Sequence, residues 1–146
     1  YGEYSKAGEF VYDYPFQWGS KRTGPDLHRV GGKYPNAWHY LHMEEPESMS
    51  PGSIMPVYPW LITEDFHEMD LKARLKGLKT LGVPYSQEYI EEKAEQDLKT
   101  QAKMIVEDLK TSDINVSWDK KIVALTAYLQ RMGIDIKGSP VSTAMK

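Results

Sequence analysis

The chain has 146 residues, a net charge of −3 and a pI near 5.8. That length suits one domain burying roughly two-thirds of its unfolded surface, and the mild acidity argues against nucleic-acid binding as the main task. No apolar run reaches the roughly eighteen residues that span a membrane, and the lack of cysteine excludes disulfides, zinc–thiolate sites and thioether-attached cofactors within these residues.

The chain opens on Tyr1-Gly2-Glu3-Tyr4, inside an aromatic-rich stretch with no signal peptide, and reads as a piece of something longer. Residues 1–62 hold many aromatics, prolines and glycines and little periodicity, whereas residues 63–146 are helical in pattern. Tyr4, Phe10, Tyr12, Tyr14, Phe16 and Trp18 alternate on even positions, the usual mark of a half-buried strand. Gly8, Pro15 and Gly19 turn that expectation into an extended, irregular lining. Next, Lys21 to Leu27 carries a Gly24-Pro25 turn in which Pro25 offers a carbonyl and no donor. A fixed carbonyl of that kind suits the second nitrogen of a metal-bound histidine. Lys21 and Arg22 beside it suit anionic groups. A helix follows from about Asn36 to Met43, with Trp38, Leu41 and His42 on one side.

Residues Pro51 to Leu61 organise the rest. Three prolines oppose a regular helix or central strand there, yet Ile54, Met55, Val57, Tyr58, Trp60 and Leu61 make the stretch strongly apolar. An apolar, irregular loop must wrap something. Met55 is held between Ile54 and Pro56 on a stiff backbone, and a thioether presented that way is a usual axial ligand to haem iron in c-type cytochromes. The plainer expectation is a methionine plugging a gap in the core.

Beyond the loop, Thr63 is predicted to cap a helix running to about Thr80, with Leu71, Leu75 and Leu78 on one face and Gly82 and Pro84 ending it. Ser86 is predicted to cap a second helix to about Lys110, an arm packed through the stripe Ile90, Ala94, Leu98, Ala102, Ile105 and Leu109. Ser117 is predicted to cap the third, which Gly133 ends and which presents Trp118, Ile122, Leu125, Leu129 and Met132.

Several of these runs resemble a known family. Arg22-Thr23-Gly24-Pro25-Asp26-Leu27, Pro51-Gly52-Ser53-Ile54-Met55-Pro56 and Ile122 to Arg131 are similar to the class I cytochrome c pattern. More closely, Gly8 to Asp13, Pro15 to Leu27, Val30-Gly31-Gly32, Trp38-His39, Leu41-His42 and Met55 to Leu61 resemble subunit II of cbb3-type cytochrome c oxidases, the CcoO/FixO family. The likeness is dense over 2–62, good over 118–133 and mainly positional over 63–116. It implies an all-α, class I cytochrome c-like domain over 1–136, in three parts. Residues 1–62 form an irregular, aromatic-rich haem-wrapping region with the Met loop, 63–116 an inserted helical arm and 117–133 a C-terminal packing helix. Residues 137–146 are read as a flexible tail.

The resemblance implies a mono-haem c-type subunit anchored in the bacterial inner membrane, its domain on the periplasmic face. Such a subunit passes electrons from a c-type donor or a sister subunit towards the chain that reduces oxygen. By resemblance Met55 is the axial iron ligand, the Pro25 carbonyl in the Gly24-Pro25 turn orients the proximal histidine, and Arg22 lies near the propionates. Trp38, Tyr58 and Trp60 would line the pocket. The family attaches haem c through a C-x-x-C-H motif just upstream of the region where this sequence begins, so these residues alone are expected to be apo.

Other chemistry is thinly represented. His39 and His42, with Glu44, Glu45 or His67, suggest at most an adventitious zinc or copper site. His28 is a conceivable substitute iron ligand. Ser48, Ser50 and Ser53 have no histidine at a telling spacing, and the consecutive pairs Glu44-Glu45 and Glu91-Glu92 point apart on a helix. A cofactor-free docking module for assembling a membrane complex is the competing expectation.

Overall fold

The computed structural model describes residues 6–16, 24, 27–66 and 70–134. A 3₁₀ turn at Ala7–Phe10 is followed by α1 (Asn36–Glu44), α2 (Pro46–Met49), α3 (Pro59–Thr63) and α4 (Leu71–Thr80). A π-helical turn at Tyr89–Lys93 leads into α5 (Ala94–Lys110), and α6 (Lys121–Arg131) completes the order. Among the described residues there is no strand, only an isolated bridge between Asp65 and Lys120. The expected all-α class is what the chain adopts.

Helix α6 is the spine. Ile122, Val123, Thr126 and Leu129 are buried along it, and Thr126 satisfies its hydroxyl by donating to the Ile122 carbonyl at 2.9 Å. Against this face α5 sets Ala102, Ile105, Val106 and Leu109, and α1 adds Tyr40. A smaller cluster of Leu75, Ile90 and Ala94 joins α4 to the start of α5. The helical spacing reads most of this stripe correctly; Val106 and Val123 broaden it, because a helix flanked by neighbours on two sides buries more than one row.

Both ends of the segment that carries α1 and the Met loop are clasped to α6. At one end the Gly31 amide donates to the Met132 carbonyl at 3.0 Å, and Gln130 accepts from the Gly32 amide while donating to the Tyr34 carbonyl. At the other end the Phe66 amide donates to the Asp119 carbonyl and the Lys121 amide to that of Glu64, with Lys120 reaching Asp65 at 2.6 Å. Residues 31–66 therefore form a loop held at its two feet by one helix.

Three expected boundaries shift. Proline 59 does not keep its stretch irregular: it occupies the first turn of α3, where its missing amide costs nothing. Thr63 consequently closes α3, donating to the Pro59 carbonyl at 3.1 Å, and the cap of α4 falls to Asp70, whose carboxylate accepts from the Ala73 amide at 2.9 Å. Helix α6 begins at Lys121, not directly after Ser117, because residues 119–121 are drawn into the pairing with Glu64–Phe66. Ser86 does cap as expected, its Oγ accepting from the Tyr89 amide at 3.1 Å. Gly82 and Gly133 end their helices with φ of +98° and +77°. Asp70→Ala is expected to lower stability by about 1 kcal/mol in urea unfolding, with no change in the slope. Tyr4, Trp18 and the tail 137–146 lie outside the described residues.

Candidate functional site

Helix α1 presents an aromatic stack set by residues four apart. Trp38 lies between Tyr34, at 4.0 Å and 15°, and His42, at 4.4 Å and 14°. Helical spacing puts Trp38 and His42 one above the other on α1, and Tyr34, just before the Pro35 cap, extends the stack beyond the helix. Lys33 caps the stack, its Nζ 4.7 Å from the Tyr34 ring. His39 meets Tyr34 and Trp38 edge-on and is only 2% exposed. Its Nε2 and the Nδ1 of His42 are buried without a hydrogen-bond partner. A buried, unmatched polar nitrogen is costly, so the packing around both imidazoles holds them in place against that cost.

Burial lowers the pKa of His39 below its ordinary 6.5, and the neighbouring His42 adds to this; burial lowers His42 as well. The unfolded chain thus binds protons that the folded chain refuses. Stability is full above the ordinary imidazole pKa and is lost as the pH falls through the depressed one. The urea midpoint at pH 5 is expected below that at pH 7.5, and His39→Gln should narrow the gap.

The Met loop runs from α2 into α3. Gly52, at φ +79°, turns the chain; the Ser53 amide donates to the Ser50 carbonyl, and Ser53 Oγ accepts from the Met55 amide at 3.2 Å. The Tyr58 amide then donates to the Met43 carbonyl at 3.2 Å, fixing the loop's far end to the last turn of α1. Met55 is half-buried between Ile54, which is 91% exposed, and Pro56. Tyr58 and Trp60 meet edge-on at 5.2 Å.

Of the expected site residues, Tyr58 and Trp60 are together, Met55 is on the same loop, and Trp38 is on the helix to which that loop is tied. Gly24 is exposed, with nothing within 4 Å of the position a side chain would take. Arg22 and Pro25 lie outside the described residues, as does His67. Among the described residues no group of three or more His, Asp or Glu side chains is placed to hold a metal ion. Tyr34 and Gln130 escape the sequence reading, although Tyr34, Trp38 and His42 were legible as a run at spacings of four.

One feature of the surface bears on a haem. Of the twelve large apolar side chains exposed among the described residues, eight fall between positions 11 and 60: Val11, Tyr12, Tyr14, Phe16, Leu27, Ile54, Val57 and Trp60. Three of them, Ile54, Val57 and Trp60, flank Met55 on its loop, an apolar exposure that suits contact with an apolar group better than contact with water. A family model described as "Cytochrome C oxidase, mono-heme subunit/FixO" matches residues 1–136. Comparison with curated proteins gives no match.

Proposed function

Since the chain belongs to the FixO family, the mono-haem subunit of cytochrome c oxidase, we propose that residues 1–62 build the methionine side of its haem pocket, with Met55 as the axial ligand. The family serves electron transfer in a membrane-associated oxidase of several subunits and carries haem c. The finer reading is a cbb3-type oxidase with this domain on the periplasmic face of the bacterial inner membrane. Electrons arrive from a c-type donor and leave for the oxygen-reducing subunit.

The observation that supports the reading is the half-buried Met55 on a loop whose neighbours Ile54, Val57 and Trp60 are exposed apolar side chains. When bound, haem supplies the iron that takes up and releases one electron. The rest is the work of this chain's residues. Met55 offers a soft sulfur, which favours the reduced iron and raises its potential. Trp38, Tyr58 and Trp60 keep water away, and the clasp on α6 holds the loop in one place. By the family resemblance, the carbonyl of Pro25, next to Gly24, would orient the proximal histidine, and Arg22 would neutralise a propionate. With no cysteine in the sequence, thioether attachment and the proximal ligand come from outside these residues, which alone are apo. The layout follows as a haem-wrapping region at 1–62, an inserted arm at 63–116 and a packing helix at 117–133, within a domain ending at 136.

The absence of cysteine also favours the second reading, a cofactor-free docking module. The two separate on the visible spectrum of the intact, haem-loaded subunit. Met55→Ala is expected to abolish the low-spin spectrum, while Met43→Ala and Met49→Ala keep it. Indifference to all three would remove Met55 as ligand.

A further inference from the structure

A second site lies away from Met55, between α4, α5 and the turn that precedes α6. The two apolar clusters of the domain do not merge. Between them a cleft of about 220 Å³ remains, with Leu71, Leu75, Leu98 and Val123 in its wall. Ala94, Ala102, Ala124 and Ala127 also line it, and their small side chains leave it open. Phe66, Leu71 and Leu98 line both this cleft and a wider mouth of about 340 Å³, where Trp118, Lys72, Arg74 and Lys99 join them.

The chemistry changes along that path. In the narrow part Tyr89 and Asp97 satisfy each other, the phenol donating to the carboxylate at 2.8 Å. A peptide strand entering there would carry amides and carbonyls with few partners to meet them, and each one left unmatched would weaken binding. An acyl chain carries none. At the mouth Arg74 has no acidic partner among the described residues, and Lys72 stands 3.9 Å from Glu91. Lys99 lies 5.9 Å above the Trp118 ring while pairing with Glu95 at 2.6 Å. The carboxylate of Asp70 is already committed to capping α4. With Asp70 and Glu95 also in its lining the mouth keeps a net positive charge, carried by Arg74 and Lys72, and an apolar slot opening beneath it and a tryptophan has the polarity of a lipid with a negative headgroup.

We propose that this cleft binds an anionic phospholipid of the membrane, with one acyl chain between α4 and α5 and the phosphate at Lys72, Arg74 and Lys99. The site is independent of Met55 and of any haem.

The test is titration of the purified chain with single-chain lysophosphatidylglycerol below its micelle concentration, followed through the NMR signals of the Ala94, Ala102 and Ala127 methyl groups. Saturable one-to-one binding is expected. Affinity should fall about tenfold for zwitterionic lysophosphatidylcholine of the same length or in Arg74→Glu. It should fall about fourfold for each methylene removed. Ala124→Phe, at an exposed position on α6, should block entry while circular dichroism shows the helices intact. Equal affinity for the two headgroups, indifference to chain length, tighter binding of a fatty acid of equal length, or displacement by an acidic peptide would each overturn the proposal.

Discussion

Met55→Leu in the intact oxidase subunit is expected to leave haem attached while lowering its reduction potential. The drop should take a sizeable part of the roughly 0.8 V range that axial ligands span. Leucine keeps the volume and apolarity of the side chain, so a half-buried position on the loop tolerates it. What it removes is the sulfur, the soft donor that stabilises reduced iron. Electron delivery to the oxygen-reducing partner should fall with the potential, whereas thermal unfolding should move little. Potentiometry and a melting curve on the same preparation separate the two effects. The neighbouring Val57→Leu, 53% exposed on the same loop, should change neither.

The second large effect is structural. Gly133→Val is expected to cost about 3–4 kcal/mol, a large fraction of the roughly 5–15 kcal/mol that holds an ordinary domain. A Cβ at 133 would stand 2.5 Å from the His28 carbonyl oxygen and 3.0 Å from Arg29 Cα, and the backbone there has φ +77°. Two penalties therefore combine: left-handed strain on a β-branched residue, and a clash with backbone that cannot rotate away. Gly52 separates them. It has a similar φ of +79° with nothing within 4 Å, so Gly52→Ala should carry the strain alone, about 1–2 kcal/mol. Urea unfolding of both variants gives the difference. Gly31 belongs to the same clasp and has no positive φ, but a Cβ there would stand 2.5 Å from the Gln130 carbonyl oxygen, so its valine variant should carry the clash without the left-handed strain and cost less than that of Gly133.

These two effects meet in the geometry of the loop. The clasp at Gly31–Gly32 holds the first foot of the segment bearing Trp38, and the pairing of Glu64–Phe66 with residues 119–121 holds the second, just past Trp60. A Met loop without regular hydrogen bonding can present its sulfur in one direction only if both feet are fixed. Stability at Gly133 and the ligation proposed for Met55 are therefore expected to depend on the same backbone clasp. A milder lesion of the clasp, Gln130→Ala, removes the side chain that binds Gly32, Tyr34 and Asn36.

The helices were legible because their signals are local. The stripe Ile90, Ala94, Ala102, Ile105, Leu109 reads as one face at a period of 3.6, and Gly82 and Gly133 end helices wherever a left-handed residue is wanted. The misread caps at Thr63 and Ser117 have one origin. Both residues lie near the seam between 64–66 and 119–121, a pairing across more than fifty positions that no local pattern announces. Proline at 59 was read for what it breaks rather than for where it is tolerated. In the candidate site, Met55 stood out by its stiff flanks and Trp38 and His42 by sharing one helix side, whereas Tyr34 was missed because it lies before the helix begins. The role of Gln130 was illegible, since a polar side chain serving three distant groups leaves no trace in its own neighbourhood. Nor does the sequence show the gap between the two apolar clusters, which depends on how closely α4 approaches α5.

The most direct measurement joins the chain to what it lacks. A haem peptide carrying a C-x-x-C-H attachment and its proximal histidine would be added to the purified chain, and the reduced-minus-oxidised visible spectrum recorded. A low-spin, methionine-ligated spectrum that is lost in Met55→Ala is the expected result. A spectrum identical for both chains, or one left high-spin by the unaltered chain, would contradict the assignment of Met55 as the iron's second axial ligand.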